Sequence, residues 1–275
     1  MKNFESYLAE SKSPNTIKSY VSDLKKYFSF SNSTILTRSN IETYKQYLLN
    51  QNKSASTINR HLSSLSAYNL YLIQNKLMNE VIILPKDYIK VQKTKTNPND
   101  LSKEEINKFI HEIKKYEPYR NYCIVMTLIG TGLRINECLS LRLNNIDLDN
   151  AEGYVVGKGN KMRRFDILPE IIPVLREYIN NHRHKYLRAS NSPYLFVSTR
   201  KDRLCTASIN AIFNYYSDKI TPHKLRHYFA SEVYQQTNDI VLVKDQLGHS
   251  NINTTMIYTY QKIQDKKRKL AAVSI

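Results

Sequence analysis

Residues 221–227, Thr-Pro-His-Lys-Leu-Arg-His, combine the start of a helix with side chains that can bind a phosphate and move a proton. Thr221 is a suitable N-cap, and Pro222 fits the first helical turn. His223 and Arg226 lie three residues apart and would share one helix face. Because a helix N-terminus also attracts anions, this stretch predicts a helix that presents a histidine and an arginine to a phosphate.

The residues after this helix add a second histidine and a tyrosine. In Leu247-Gly248-His249-Ser250 the histidine follows a glycine suited to end a helix, and Tyr258 comes nine residues after His249. A tyrosine hydroxyl, with an ordinary pKa of about 10, needs nearby cations to ionise and act as a nucleophile. The set therefore indicates a phosphate-handling site with a candidate nucleophile.

Two more basic residues occur in turns far upstream. Arg134 follows Gly130-Thr131-Gly132, the turn at which a buried helix over 120–129 is predicted to end, and Lys158 lies in a glycine-rich turn over 157–160. Arginine suits a phosphate because its planar guanidinium stays charged and donates two parallel hydrogen bonds. Taken singly, these are ordinary surface residues, and Tyr258 is one of 21 tyrosines. Their order within one basic domain is what indicates a single active site.

The charge of the chain points to a polyanionic partner. Lysine and arginine number 41 against 24 acidic residues, which gives a formal net charge of +17. Residues 1–100 hold 14 basic and 7 acidic side chains, and residues 101–275 hold 27 and 17. Because the excess is spread along both parts of the chain, nucleic acid is the partner that fits best.

The cysteines and the hydropathy pattern indicate the cellular compartment and argue against some kinds of site. Cys123, Cys138 and Cys205 are far apart and form no Cys-x-x-Cys motif, which argues against a disulfide framework and a structural zinc site. The N-terminus carries charge without an apolar run, and no apolar stretch is long enough to span a bilayer. These features predict a cytoplasmic protein with no membrane partner.

The first domain is predicted over residues 1–90 and reads as all-helical, because apolar residues repeat there at helical spacing. Its predicted helix starts are Ser13 with Pro14, Ser39 in a capping box with Glu42, and Ser54 or Ser56. Residues 91–100 are polar, basic and poorly periodic, as expected of a linker.

The second domain is predicted over residues 101–275 and reads as mostly helical with one small sheet. A capping box of Ser102 and Glu105 opens its first helix. Three β-rich runs predict an antiparallel meander over 146–148, 154–156 and 163–168, and from Pro169 the pattern is helical to the C-terminus. The predicted fold is therefore mainly α, with a helical N-terminal domain and a mixed α+β second domain.

Together these motifs resemble the signature boxes of the tyrosine site-specific recombinases, the phage integrase family. The matching stretches are 132–137 (GLRINE), 157–161 (GKGNK), 223–227 (HKLRH), 247–250 (LGHS) and Tyr258. In size the chain is closest to the Xer-like and small transposon-type integrases. The resemblance implies that the N-terminal helices form a core-binding domain on DNA and that the second domain is catalytic.

The resemblance also implies how the site holds a scissile phosphate. Arg134 and Arg226 would clamp the phosphate, and His249 would contact the phosphate or the transition state. Glu137 would be a supporting carboxylate that orients the site.

The same resemblance implies the covalent chemistry. Tyr258 would attack to form a 3′-phosphotyrosyl link, His223 would act as general acid and base, and Lys158 would protonate the 5′ oxygen. Because the covalent link conserves the bond energy, neither ATP nor a metal is required. Tyr260 is a rival nucleophile, but the nine-residue spacing from His249 favours Tyr258, and two helical residues two apart cannot both face the phosphate.

The implied assembly is a homotetramer on two double-stranded recombination sites, with a related recombinase or an accessory factor as a further possible partner. The C-terminal segment 261–275 would reach into a neighbouring subunit. Two other interpretations remain open. A type IB topoisomerase shares the phosphotyrosyl chemistry, although the small N-terminal helical module argues against it. A DNA-binding regulator with an inactive site is disfavoured because no catalytic residue is missing.

Overall fold

The computed structural model describes residues 2–91, 101–157, 161–201 and 203–248. The chain divides into two compact units, residues 1–95 and 96–275. The predicted fold class is confirmed, since the first unit is helical and the second adds a three-stranded antiparallel sheet to its helices. The predicted limits of the two domains stay a prediction, and most of the proposed linker lies outside the described residues. Within the described ranges, no helix is long and apolar enough to cross a membrane.

The described part of the N-terminal unit, residues 2–91, contains four α-helices and one short 3₁₀ turn. They are α1 (Lys2–Ala9), α2 (Pro14–Ser31), α3 (Arg38–Asn50), α4 (Ala55–Gln74) and the turn Pro85–Asp87. The predicted caps Ser13 and Ser54 are confirmed, because the hydroxyl of each accepts the backbone N–H three residues ahead. Apolar and tyrosine side chains of all four helices form the core, among them Phe4, Leu8, Leu24, Tyr27, Ile41, Tyr44, Ile58 and Leu62.

The predicted capping box at Ser39 is wrong. The N-cap of α3 is Thr37, whose hydroxyl accepts the Asn40 N–H at 3.2 Å. Glu42 pairs with the Arg38 side chain at 2.8 Å and caps nothing. Ser39 therefore lies inside the first turn, because the residue two places earlier already has the extended backbone and the hydroxyl that a cap requires.

The second unit contains seven described α-helices. They are α5 (Lys103–Tyr116), α6 (Tyr119–Thr131), α7 (Ile135–Leu139), α8 (Ile172–Glu177), α9 (Thr206–Tyr216), α10 (Pro222–Thr237) and α11 (Ile240–Leu247). The capping box at the start of α5 is confirmed: Ser102 Oγ accepts the Glu105 N–H at 3.1 Å, and the Ser102 N–H donates to the Glu105 carboxylate at 2.9 Å.

Helix α6 ends later than predicted. Gly130 and Thr131 are helical, and the chain turns only at Gly132, which has φ +64. Gly130 is needed for packing, because a Cβ there would lie 2.0 Å from the Ile171 side chain. The two glycines therefore have different roles. Gly130 allows close packing, and Gly132 supplies the left-handed backbone that ends the helix.

The predicted β-meander is confirmed. Strands β1 (Ile146–Asp147), β2 (Glu152–Val156) and β3 (Met162–Asp166) pair antiparallel in the order β1-β2-β3. In β3 the side chains alternate, so that Arg163 and Phe165 point towards the protein while Arg164 lies on the exposed face.

The expectation of continuous helix after Pro169 is wrong in one segment. Helical turns run from Pro169–Ile171 through α8, a π-helical turn Tyr178–His182 and a 3₁₀ turn Arg183–Lys185. Residues 186–201 are then irregular. The buried Arg183 side chain replaces the missing helical hydrogen bonds there by donating to the carbonyls of Ala189, Ser192, Tyr194 and Leu195.

Candidate active site

Arg134 is placed by the left-handed turn at Gly132 and by the short helix α7. It is the N-cap residue of α7, and its backbone N–H donates to Glu137 Oε2 at 2.9 Å. Its Nη1 donates to Glu137 Oε1, also at 2.9 Å. Since 45% of the Arg134 side chain stays exposed, the guanidinium is anchored on one edge and open to a ligand on the other.

Arg226 is placed by α10, which starts as predicted. Thr221 caps this helix by accepting the Lys224 N–H at 3.2 Å, and Pro222 is its first residue. The Arg226 side chain is only 4% exposed. Its Nη1 donates to the Gly132 carbonyl and its Nη2 to the Leu247 carbonyl, each at 2.7 Å. Arg226 thereby connects the end of α6 with the end of α11.

Glu137 brings three arginines together around one buried carboxylate. Its oxygens lie 2.9 Å from Arg134 Nη1, 3.0 Å from Arg163 Nη2 and 3.8 Å from Arg226 Nη1. Burial acts to raise the pKa of Glu137, but the Arg163 charge and the contacts with Arg134 outweigh it, so the pKa lies below its usual value. Glu137 is therefore ionised at neutral pH and leaves the cluster with two excess positive charges, which is suited to an anion.

His223 lies next to this cluster and is paired with a second histidine. Its Nε2 is 3.0 Å from Nε2 of His227, so one ring donates a hydrogen bond to the other. Burial and the charges of Arg226 and Arg134 lower the pKa of His223. Burial, His223 and Arg226 lower the pKa of His227 to about 4. Both imidazoles are therefore neutral at pH 7, and His223 can accept a proton.

The structure thus brings together four of the predicted residues, namely Arg134, Glu137, His223 and Arg226. The other three, Lys158, His249 and Tyr258, lie outside the described residues. Their roles stay predictions, and so does the functional assignment of the four that are described.

Sequence reasoning missed Arg163 and His227. Two signals in the sequence could have found them. Arg163 is two residues before the apolar Phe165, so a strand would turn both to the same, inward face. His227 is four residues after His223 and therefore falls on the same face of the predicted helix.

The described ranges contain no cluster of histidine, cysteine or acidic side chains that could hold a metal ion. The three cysteines are free thiols, with Cys123 and Cys138 buried and Cys205 exposed. The described side chains of the site provide fixed guanidinium charges beside a neutral imidazole pair.

Both units match known family models. Residues 99–264 match the phage integrase family, and residues 1–76 match the N-terminal SAM-like domain of phage integrases. The first match alone covers more than half of the chain.

Individual proteins are similar over nearly the whole length. TnP I resolvase of Bacillus thuringiensis is 36% identical over 278 residues, with 98% of each chain covered. Tyrosine recombinase XerC of Halalkalibacterium halodurans is 30% identical and covers 90% of this chain and 87% of its own. A crystal structure of the XerH site-specific recombinase bound to its palindromic difH substrate, a post-cleavage complex, superposes with a TM-score of 0.70 at 26% identity, covering 93% of this chain and 79% of that chain.

Proposed function

The chain belongs to the phage integrase family and is a tyrosine recombinase that acts in site-specific DNA recombination, and we propose that it cuts and rejoins DNA through a 3′-phosphotyrosyl intermediate. The observation that carries this proposal is the buried Glu137 carboxylate shared by three arginines beside a neutral His223. This arrangement provides fixed positive charge for a phosphodiester and a base for a hydroxyl proton.

In the proposed reaction, Arg134 and Arg226 bind the non-bridging oxygens of the scissile phosphate. The half-exposed guanidinium of Arg134 has open N–H groups for this purpose. The Arg226 guanidinium donates to two backbone carbonyls, so its direction in the site is fixed. Such preorganised donors stabilise the charge that develops on the phosphate oxygens, without reorganising during the reaction.

Strand cleavage exchanges one phosphodiester for another. The Tyr258 oxygen forms a bond to phosphorus, and the bond from phosphorus to the 5′ oxygen breaks. His223 takes the tyrosine proton, and Lys158 gives a proton to the departing 5′ oxygen. Rejoining is the reverse, with the 5′-hydroxyl of a partner duplex as the attacking group. Since the number of phosphodiester bonds is unchanged, the reaction needs neither ATP nor a metal.

Each of the two units has its own function in this proposal. The helical domain over 1–90 binds the core of the recombination site, and the domain over 101–275 carries out catalysis. The working assembly is a tetramer on two DNA sites, with segment 261–275 contacting a neighbouring subunit. The similarity to a recombinase bound to its DNA substrate supports the DNA part of this proposal.

The test is covalent trapping on DNA. The wild-type chain is incubated with fragmented genomic DNA, the reaction is stopped with SDS, and protein-linked fragments are sequenced to give the cleaved site. A synthetic duplex nicked beside that site then accumulates the adduct. We expect Tyr258→Phe to abolish the adduct while binding to the same duplex persists, because the change removes only the attacking oxygen.

Tyr260→Phe is the matched control and should form the adduct at the wild-type rate. Adducts that survive Tyr258→Phe but disappear with Tyr260→Phe would show that the nucleophile is misassigned. Relaxation of a supercoiled plasmid that lacks the trapped site separates the topoisomerase interpretation, because a recombinase should leave such a plasmid largely supercoiled.

A further inference from the structure

Arg163 makes a set of contacts that the proposed catalytic roles do not use. It lies on β3, and its side chain is 15% exposed. Its Nη2 donates to Glu137 Oε2 at 3.0 Å, and its Nη1 donates to the Gln246 carbonyl at 2.8 Å. A Cβ on Gly248 would lie 2.4 Å from Arg163 Cδ, so the arginine also packs against this glycine. One side chain therefore connects β3, α7 and the end of α11.

The two oxygens of Glu137 have different partners. Oε1 accepts from the Arg134 guanidinium at 2.9 Å. Oε2 accepts from the Arg134 backbone N–H at 2.9 Å and from Arg163 Nη2 at 3.0 Å. Because Arg163 holds one oxygen, the carboxylate plane is fixed and the other oxygen is turned towards the open guanidinium.

Helix α7 alone is a weak support for this geometry. Arg134 and Glu137 are an i, i+3 pair at the start of a helix of five residues, and such a short helix has little stability of its own. Without Arg163, Oε2 would lose a charged donor, and the next cation near it within the described residues is Arg226, whose Nη1 lies 3.8 Å away. A carboxylate that turned towards Arg226 would no longer hold Arg134.

From this geometry we infer that Arg163 is a positioning residue for strand cleavage, acting through Glu137 to fix the direction of the Arg134 guanidinium. The inference rests on the proposed function. Strand β3 would then pair with β2 in the sheet and also supply a side chain that orients the active site. Among the described residues, the charged groups that face the Glu137 carboxylate are Arg134 from the start of α7, Arg163 from β3 and Arg226 from α10.

The next residue on the same strand is a matched control. Arg164 is 58% exposed and pairs on the solvent face with Glu152 at 3.0 Å and with Asp166 at 2.8 Å. Replacing either arginine with alanine removes the same charge from the same strand. Only the change at 163 removes a contact with Glu137.

The experiment measures the single-turnover rate of adduct formation on the nicked duplex at saturating protein. Arg163→Ala should reduce this rate at least about tenfold. The dissociation constant for the duplex, measured in the Tyr258→Phe background, should change by less than about twofold, as should the cleavage rate of Arg164→Ala. Arg163→Lys, which keeps a cation, should recover part of the lost rate.

Two further readouts separate positioning from a general structural effect. In a double-mutant cycle, the variant that combines Glu137→Gln with Arg163→Ala should be no slower than the slower single variant. Arg163 acts through the Glu137 carboxylate, so its loss has no further effect once that carboxylate is gone. The acid side of the rate profile should move to higher pH in Arg163→Ala, since Arg163 is the strongest positive influence on the Glu137 carboxylate. Glu137→Gln lacks this titration and isolates that of His223.

A cleavage rate of Arg163→Ala equal to that of Arg164→Ala would overturn the inference. Rate losses that multiply in the double variant, or an acid limb that does not move, would overturn it as well. If Arg163→Ala unfolds, the same cycle is run with Arg163→Lys, whose loss must again vanish in the Glu137→Gln background. If the wild-type chain forms no adduct, the proposed function is wrong. If the wild-type chain forms the adduct and Arg163→Ala forms it equally fast, only the inference about Arg163 is wrong.

Discussion

At the scale of single residues, the two arginines proposed to bind the phosphate differ in burial. Arg134 is 45% exposed and its side chain donates to Glu137, whereas Arg226 is 4% exposed and donates to two backbone carbonyls. A buried, hydrogen-bonded charge contributes to folding as well as to the site, because its removal leaves polar partners unpaired. The Arg134 guanidinium is half-exposed, and without it the buried Glu137 carboxylate would keep its contacts with Arg163 and Arg226, so we expect its loss to cost little stability.

We therefore expect the two alanine variants to separate stability from catalysis. Arg226→Ala should lower the free energy of unfolding by about 3 kcal/mol and abolish the adduct. Arg134→Ala should lower it by less than about 1 kcal/mol while slowing adduct formation by about a hundredfold or more. Urea unfolding followed by circular dichroism, together with the trapping assay, measures both quantities. Equal losses of stability in the two variants would contradict this difference in role.

His223 gives a prediction for the pH dependence of cleavage. Burial, Arg226 and Arg134 lower its pKa, so the neutral ring that accepts the tyrosine proton persists below the ordinary value of about 6.5. The rate of adduct formation should therefore be constant just below neutral pH and fall only in more acidic buffer. Measuring the rate across this range in the Glu137→Gln variant assigns the fall to the histidine. A midpoint above the ordinary histidine value would contradict the sign of the shift.

At the scale of elements, the end of α6 depends on a glycine with a left-handed backbone. A Cβ on Gly132 would lie 2.5 Å from the Phe229 ring and 2.9 Å from the Leu247 side chain, and the residue has φ +64. Its carbonyl also accepts the hydrogen bond from Arg226. The turn thus sets the direction of the chain into Arg134 and holds the second arginine.

Gly132→Ala should lower the free energy of unfolding by about 2 kcal/mol, from backbone strain together with the clash. Gly157→Ala is the control, because the first described atom that a Cβ there would meet is the Lys161 carbonyl oxygen, at an ordinary contact distance of 3.5 Å. Its free energy of unfolding should change by less than about 1 kcal/mol. Thermal and urea unfolding of the two variants side by side make the comparison. A Gly132→Ala chain as stable as wild type would contradict the packing described for this turn.

Elements whose signals are local could be predicted from the sequence. The caps at Ser13, Ser102 and Thr221 were predictable because a cap is a contact between residues three apart. The same holds for the meander, where turns and alternation lie within one short stretch. In the candidate site, the local stretch that carries Arg134 and Glu137 could likewise be recognised.

The errors arose where contacts between distant residues decide the structure. The irregular segment 186–201 is stabilised by the Arg183 side chain, and no pattern within the segment encodes that partner. The alternation with Phe165 indicates that Arg163 faces inward, but its role in the site depends on contacts with Glu137 and Gln246 on other elements, which no local pattern encodes. The predicted start of α3 was wrong for a different reason. Two neighbouring residues, Thr37 and Ser39, each carry a hydroxyl suited to a cap, and Thr37 is the one that caps the helix.

At the scale of the whole molecule, the net charge of +17 predicts how DNA binding responds to salt. Neutralising phosphates releases counterions, so affinity falls steeply as salt rises. We expect the dissociation constant for an arbitrary duplex to rise by about a thousandfold between roughly 50 and 200 mM salt. Fluorescence anisotropy with a labelled duplex measures this slope. A nearly flat dependence would show that the basic residues of this chain do not contact the backbone phosphates.

The two carbonyl contacts of Arg226 have a consequence for how this protein could change over evolution. A side chain that supports both folding and the site is costly to replace, whereas a half-exposed one can change with little loss of stability. A lineage released from selection for cleavage should therefore lose Arg134 well before Arg226. The arginine at 134, rather than the one at 226, is the position at which an inactive descendant would first be recognised.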